Sequence, residues 1–447
     1  MPDAELRGEA AGLLRRLVTC DTSNPPGREV QAAAVVEDHL AGTGVVCERV
    51  AKDPERPNLV ARLRGDGTAP SLAFLGHLDV VPVRREDWSV DPFAGVERDG
   101  AVWGRGSVDM KSQVAATTVA LASLAREKYR PGGDLLLVLT ADEEVGDAGV
   151  GAPFLAEARP DLCPDFVVGE GAGERIPTAA GPIYLLDRGI KATATATLTA
   201  FGEAGDASLP DTGASAVDEL ARLLTRLREY RAPVTVLPEL EPLLDALGTS
   251  GEDEDRVAQA REAHAALDLI LAGLVGSVFR PTVVEAVGPE NVVPNRATAT
   301  IQCILLPGRT RGDAEAELRG ALGPGRYELD LTEPLGGSVS ETGTPLQAAI
   351  EGFLAEHDPE ARLVPCLGYG YSDCDVMRTA YGSVAYGFIP FRHADPLTNL
   401  TTKHAEDERV LVDDIEFQVH AARTIARAVT SADARPARPL SRPVNAS

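Results

Sequence analysis

LAFLGHLDVVP at residues 72–82 and DLLLVLTADEEVGD at residues 134–147 decide the fold class. Each is a short apolar run ending in a cluster of polar, chemistry-bearing groups. A run that is apolar at successive positions and too short for a helix reads as a strand buried on both faces. Working outward, residues 29–41 (EVQAAAVVEDHLA) and 107–128 carry helical periodicity, the second stopped by Pro131 and Gly132. Residues 166–168 form a third apolar strand, followed by GEGAG. Strands alternating with helices predict an α/β fold, with a mostly parallel central sheet flanked by helices. Ligands in such sheets collect beyond the carboxyl ends of the strands, which is where the polar clusters fall.

Near residue 190 the texture changes. KATATATLTAF (191–201) alternates small apolar residues with threonine, as a strand with one polar face does. A helix at 216–230, a Pro- and Glu-rich helical stretch to about 277 and a second alternating strand at 297–306 follow. These predict a smaller α+β domain, of lid or dimerisation type, at 188–310. It interrupts a catalytic domain made of 1–187 and 311–430. Residues 431–447 read as a disordered Pro-, Arg- and Ser-rich tail.

The 447 residues are 44% hydrophobic and 25% charged, which excludes global disorder. Asp and Glu number 68 against 43 Lys and Arg, a net charge of −25. That balance argues against nucleic acid or an anionic membrane as partner. The six cysteines include no CxxC pair, as expected of reduced thiols in a cytoplasmic protein. The opening MPDAELRGEAAGLLRRL reads as an amphipathic helix rather than a signal peptide, and the apolar stretch 267–275 is too short to span a bilayer.

His77 and Asp79 form an HxD pair at a strand end, where alternate residues share a side. The carboxylate can then accept from one ring nitrogen while the other meets a metal. Asp109 opens a helix, Glu143 and Glu144 follow a buried strand, and Glu170 follows the next. Adjacent carboxylates in one site repel unless a cation relieves them. Each of these alone is as readily a capping or solvated acid. Together with His404 they supply N/O ligands suited to zinc or a similar divalent ion, with one glutamate left over as a base.

At these residues the chain resembles the M20 family of metallopeptidases and deacylases, in particular its large-insert subgroup. The matching stretches are TSNPPGRE (22–29), GHLDVVP (76–82), DWSVDPFAGVERDGAVWGRGSVDMK (87–111), TADEEVG (140–146), VVGEGAG (167–173), ENVVPNRAT (290–298), GYSDCDVMR (370–378) and KHAEDERV (403–410). The resemblance implies hydrolysis of an amide or peptide bond in a small molecule, with two divalent ions, zinc first and cobalt or manganese as alternatives. It implies that His77 and Glu170 bind one ion and Glu144 and His404 the other, with Asp109 bridging. Asp79 would orient His77, and Glu143 would be the general base. It implies a substrate role for Asn291, a pocket lined by Tyr369, Tyr371 and Ser372, a substrate-loop position for Asp373, and a homodimer through the inserted domain. His393 could approach the site, whereas His39, His264, His357 and His420 read as surface residues.

Two departures stand out. Asp206 in GDASLP occupies the position of the family's histidine, which helps to hold the reacting carbonyl oxygen; an anion there would oppose a developing oxyanion. In IQCILLPG (301–308), Gln302 and Ile304 stand where the subgroup carries aspartate and arginine. Ile304 cannot anchor a substrate carboxylate. Ser112 and Gln113 replace the usual glycines after Lys111. Either the chain is a hydrolase with atypical substrate anchoring, or it keeps the metal centre for a non-hydrolytic reaction or for binding alone.

Overall fold

A computed structural model describes residues 3–209 and 214–431. The expected tail, from residue 432 on, lies outside them. A nine-stranded sheet runs in the order Val46–Val50, Asn58–Leu63, Leu135–Thr140, Leu72–His77, Phe166–Gly169, Val384–Gly387, Ile183–Ile190, Arg362–Gly368, with Arg175–Ile176 paired off this path. The run from Leu135–Thr140 through Leu72–His77 and Phe166–Gly169 to Val384–Gly387 is parallel, as is Arg362–Gly368 with Ile183–Ile190. Val46–Val50 with Asn58–Leu63, Asn58–Leu63 with Leu135–Thr140, Val384–Gly387 with Ile183–Ile190 and Arg175–Ile176 with Ile183–Ile190 are antiparallel. The apolar runs are buried on both faces, as their composition requires. Phe74, Leu135 and Leu137 pack under helices Asp3–Val18, Lys111–Arg126 and Val412–Thr430, while Ala73, Leu75, Leu136 and Val138 face Leu155 and Met377 on the other side.

A second, antiparallel sheet pairs Val278–Glu285, Arg296–Leu305, Ala192–Phe201 and Tyr327–Leu331. Its alanines and leucines pack under helices Ala216–Glu229 and Arg311–Leu322. The smaller layer therefore extends past residue 310. The helical stretch assigned to it belongs elsewhere: Leu243, Leu267, Ile270 and Leu271 pack on Ile183, Leu185, Val364 and Cys366 of the first sheet. The reason is apolar area, since Ala265–Leu274 needs a buried surface and the edge of the first sheet provides one. A single residue, Lys191, separates Ile183–Ile190 of the first sheet from Ala192–Phe201 of the second. Its buried ammonium donates to Gly273 O and Gly276 O, both at 2.6 Å. Among the described residues no helix is long and apolar enough to cross a membrane.

Candidate metal centre

Parallel strands deliver the chemistry to one edge. His77 is the last residue of Leu72–His77, Glu143 and Glu144 follow Leu135–Thr140, and Glu170 follows Phe166–Gly169. Asp109 comes from the turn before Lys111–Arg126, and His404 from the turn after helix Pro396–Thr402. The two oxygens of Asp109 face different histidines: Oδ1 lies 3.1 Å from His77 Nε2, and Oδ2 lies 3.4 Å from His404 Nε2. Glu170 Oε2 is 3.7 Å from His77 Nε2, and Glu144 Oε2 is 3.0 Å from His404 Nε2. His77, Asp109 and Glu144 offer donor atoms within 4.8 Å of one another, as do His77, Glu143 and Glu170.

The role of Asp79 differs from expectation. His77 Nδ1 donates to the backbone oxygen of Asp79 at 2.9 Å, while the Asp79 carboxylate is 3.7 Å away. That carboxylate instead accepts from Glu143 N and Glu144 N at 3.2 Å and from Asn24 Nδ2 at 2.9 Å. It fixes the turn carrying the two glutamates. A carbonyl suffices for the ring, because an Nδ1–H bond of either kind leaves the Nε2 lone pair facing the carboxylates.

The electrostatics calls for cations. Burial pushes the Glu143 carboxyl well above the usual range, and the Glu170 charge pushes it further. Hydrogen bonds to Asp109 and Glu144 raise the His404 imidazole to about 10. Burial would lower the His77 pKa, yet Glu170 and Asp109 outweigh it and hold it well above normal. Glu144 Oε1 is buried without a hydrogen-bond partner. A neutral His77 would set its Nε2 lone pair against Asp109 Oδ1, an apposition that a proton or a metal ion must relieve. Imidazole and carboxylate donors without a thiol suit a zinc-type ion, so the residues present fit the implied group.

A cavity of about 570 Å³ opens over this edge. Its walls come from both sheets: Asp109, Glu143, Glu144, Glu170 and His404 on one side, Thr193, Gln302 and Ile304 on the other. Thr193 and Ile304 are opposite partners across the second sheet. Tyr369, Tyr371 and Ser372 line the cavity as expected. Asn291 and Asp206 do not: Asp206 pairs with Val292 in a two-stranded ribbon, and its Oδ1 accepts from Ser208 N and Oγ. His393 is also outside the lining; its N–H donates to Asp414. Asp373, buried beside the centre, accepts from Thr140 Oγ1 at 2.6 Å, and burial raises its carboxyl to about 7.

Sequence inspection missed two groups. Glu408, fully buried, accepts from Arg105 Nη1, Gly106 N, Val108 N and Asp109 N at 2.5–3.0 Å. Arg105 also donates to Ala405 O at 3.0 Å. The pair thus ties the turn of Asp109 to the turn of His404. Its signal was an acid four residues beyond a ligand histidine, indistinguishable in sequence from a solvated one. Among the described residues Lys403 is the one Lys or Arg of the cavity lining, with Nζ 3.5 Å from Glu174 Oε1.

Comparison with known proteins agrees with this geometry. The profile of peptidase family M20/M25/M40 matches residues 73–428. A succinyl-diaminopimelate desuccinylase of Cereibacter sphaeroides (strain KD131) is 36% identical over 417 residues, 91% of this chain and 95% of its own. The desuccinylase of Methylobacterium radiotolerans is 36% identical over 438 residues, 93% and 94% of the two chains. The dipeptidase Dug1p of Saccharomyces cerevisiae shares the fold, with a TM-score of 0.72 at 14% identity over 96% of this chain and 97% of its own. Sequence, fold and site converge: the chain is a metal-dependent hydrolase and belongs to peptidase family M20/M25/M40.

Proposed function

We propose that the chain hydrolyses an amide bond of a small N-acyl or peptide substrate held in the cavity between the two sheets. His77 with Glu170, and Glu144 with His404, would hold two zinc-type ions, with Asp109 between them. The observation that carries this is the orientation of Asp109, one oxygen toward each histidine. When bound, such ions polarise the scissile carbonyl and lower the pKa of water. Glu143 takes the water's proton on its carboxylate and delivers it to the departing amine nitrogen, a shuttle worth about 10²–10⁴-fold. Asp79 keeps the Glu143 backbone fixed while it works.

The succinyl group in the names of the relatives carries a carboxylate. In this chain Ile304 and Leu400 make part of the cavity wall apolar and Lys403 supplies a cation, so the bond type is what we carry over from the relatives. Turnover of N-acyl amino acids, N-succinyl amino acids and dipeptides with Zn, Co and Mn tests the proposal. Metal-dependent amide cleavage, abolished in Glu143→Ala, is expected. Cleavage that survives Glu143→Ala would refute the base assignment, and absence of cleavage under every metal condition would refute the proposal.

A further inference from the structure

A second cavity, of about 290 Å³, adjoins the catalytic one. It is lined by Leu269, Ile270, Gly273, Val278, Ile304, Tyr369 and Leu400. Ile304, Tyr369 and Leu400 also line the catalytic cavity, so the two spaces share a wall. Apart from the Tyr369 hydroxyl, no side chain of this lining carries a polar group. Its far side is built by helix Ala265–Leu274, part of the helical stretch that packs on the first sheet.

Building on the proposed amide hydrolysis, we infer that this side cavity is a subsite for an apolar substituent of the substrate, a medium-length aliphatic chain or an aromatic ring. The position of Ile304 selects that occupant. A cationic side chain there would meet any group passing from one space to the other, whereas isoleucine leaves the passage apolar. Size agrees: an aliphatic-lined cavity of about 150 Å³ already accepts benzene. The substrate class is thus N-acyl or peptide amides with one greasy substituent, rather than compact, doubly charged ones. Each methylene buried there should strengthen binding about four-fold, the equivalent of about 0.8 kcal/mol, until the space is full.

Gly273 gives a clean perturbation. A Cβ at this position would meet only the Tyr369 Cβ, at an ordinary 3.5 Å. Gly273→Leu therefore fills the space without a backbone clash, and it removes a helix-interior glycine. Val278→Phe narrows the same cavity from the second sheet, so the test does not hang on one variant. Two ligand series serve: N-acyl glycines from acetyl to octanoyl, and N-acetyl amino acids from glycine to leucine and phenylalanine. Each is titrated calorimetrically into zinc-loaded Glu143→Gln protein with and without the filling substitutions, and its turnover is followed with the unaltered holoenzyme.

Affinity that climbs about four-fold per methylene in at least one series, and flattens in both filled variants, is the expected result. Flat affinity in both series overturns the subsite, even where every amide is hydrolysed. Climbing affinity without turnover supports the subsite and counts against the amidase proposal alone, so the two failures are distinct. If Val278→Phe changes the oligomeric state by sedimentation while the length dependence stays intact, a second copy of the chain covers this cavity and the subsite is refuted.

Discussion

Replacing Glu408 by glutamine tests whether the metal centre depends on the tie between its two loops. The carboxylate takes four hydrogen bonds, two per oxygen: Arg105 Nη1 and Gly106 N on Oε2, Val108 N and Asp109 N on Oε1. Glutamine presents an NH₂ to one of these pairs, so two buried donors lose their acceptor whichever way the amide turns. The amide is neutral in either orientation, so the guanidinium of Arg105 also loses its counter-charge. Breaking a buried pair in this way costs about 3–5 kcal/mol. That is a large part of the 5–15 kcal/mol typical of a folded domain, yet it leaves the native state in the majority. The turn of Asp109 then loosens relative to His404, and losing such outer support weakens metal binding about 10–100-fold. Urea unfolding of the metal-free protein reads the first effect, and competition with a chelator reads the second. Asp358→Asn is the control: it breaks the pair of buried Asp358 with half-buried Arg175 (2.6 Å), residues that do not line the catalytic cavity. It should cost comparable stability and leave metal affinity alone. Equal metal affinity in Glu408→Gln and the unaltered protein would refute the argument.

Four further outcomes are expected. Asp109→Ala should lose most bound metal by elemental analysis, because two cations would face each other without a shared anion; unchanged stoichiometry would remove Asp109 from the bridging position. Ile304→Arg should raise kcat/KM for substrates with a carboxylate near the scissile bond. It should lower kcat/KM for apolar amides at least about tenfold, since guanidinium donors left unpaired in that wall cost about 1–3 kcal/mol each. Asp206→His alone, on a ribbon outside the cavity lining, should leave both little changed, and a large effect would place the ribbon in the site. Burial raises the Asp187 carboxyl to about 7, against about 3.9 for an unfolded chain. Between those values the folded state keeps a proton that the unfolded state has lost, so stability falls as pH rises through the window, by at most about 4 kcal/mol. Asp187→Asn stays neutral and should flatten that slope in urea unfolding at pH 4.5 and 7.5; an unaltered slope would show that Asp187 ionises freely.

The α/β core was legible because its physics is local. Leu135–Thr140 and Leu72–His77 are apolar at successive positions, and the charged groups that end them have nowhere to go but the sheet edge. The approach of His404 to Glu144, which lies 260 positions earlier, is a tertiary fact, and only the motif resemblance pointed to it. The helix Ala265–Leu274 shows where local reasoning fails. Its apolar face states that it must be buried but not against which sheet, and the edge of the first sheet provided the matching surface. Residues 311–331 misled in a similar way: a helix followed by a strand suits either layer, and the pairing of Tyr327–Leu331 with Ala192–Phe201 decides it. Asp79 shows the limit at atomic scale, since HxD spacing cannot tell a backbone acceptor from a carboxylate.

Labour is divided across the cavity between a first sheet that carries the candidate ligands and a second sheet that walls them in. Every candidate ligand and the proposed base, Glu143, come from the first sheet and its loops, where moving one group disturbs the charge balance of all. Thr193, Gln302 and Ile304 come from the second sheet, whose opposite face is buried under two helices whatever the cavity face carries. On a strand of alternating burial, residues on the open face are exchanged without repacking the core. Ile304 lies between buried Cys303 and Leu305, so its side chain can be exchanged while its neighbours stay packed. Substrate choice is thereby written on a surface that stability leaves largely unconstrained, and chemistry on one that it does not. The single-residue connection at Lys191 keeps the two in register: its ammonium, bonded to the end of helix Ala265–Leu274, ties the start of the specificity strand to the helix that walls the side cavity. A substitution at Lys191 should therefore disturb the apolar subsite before it disturbs the metal centre.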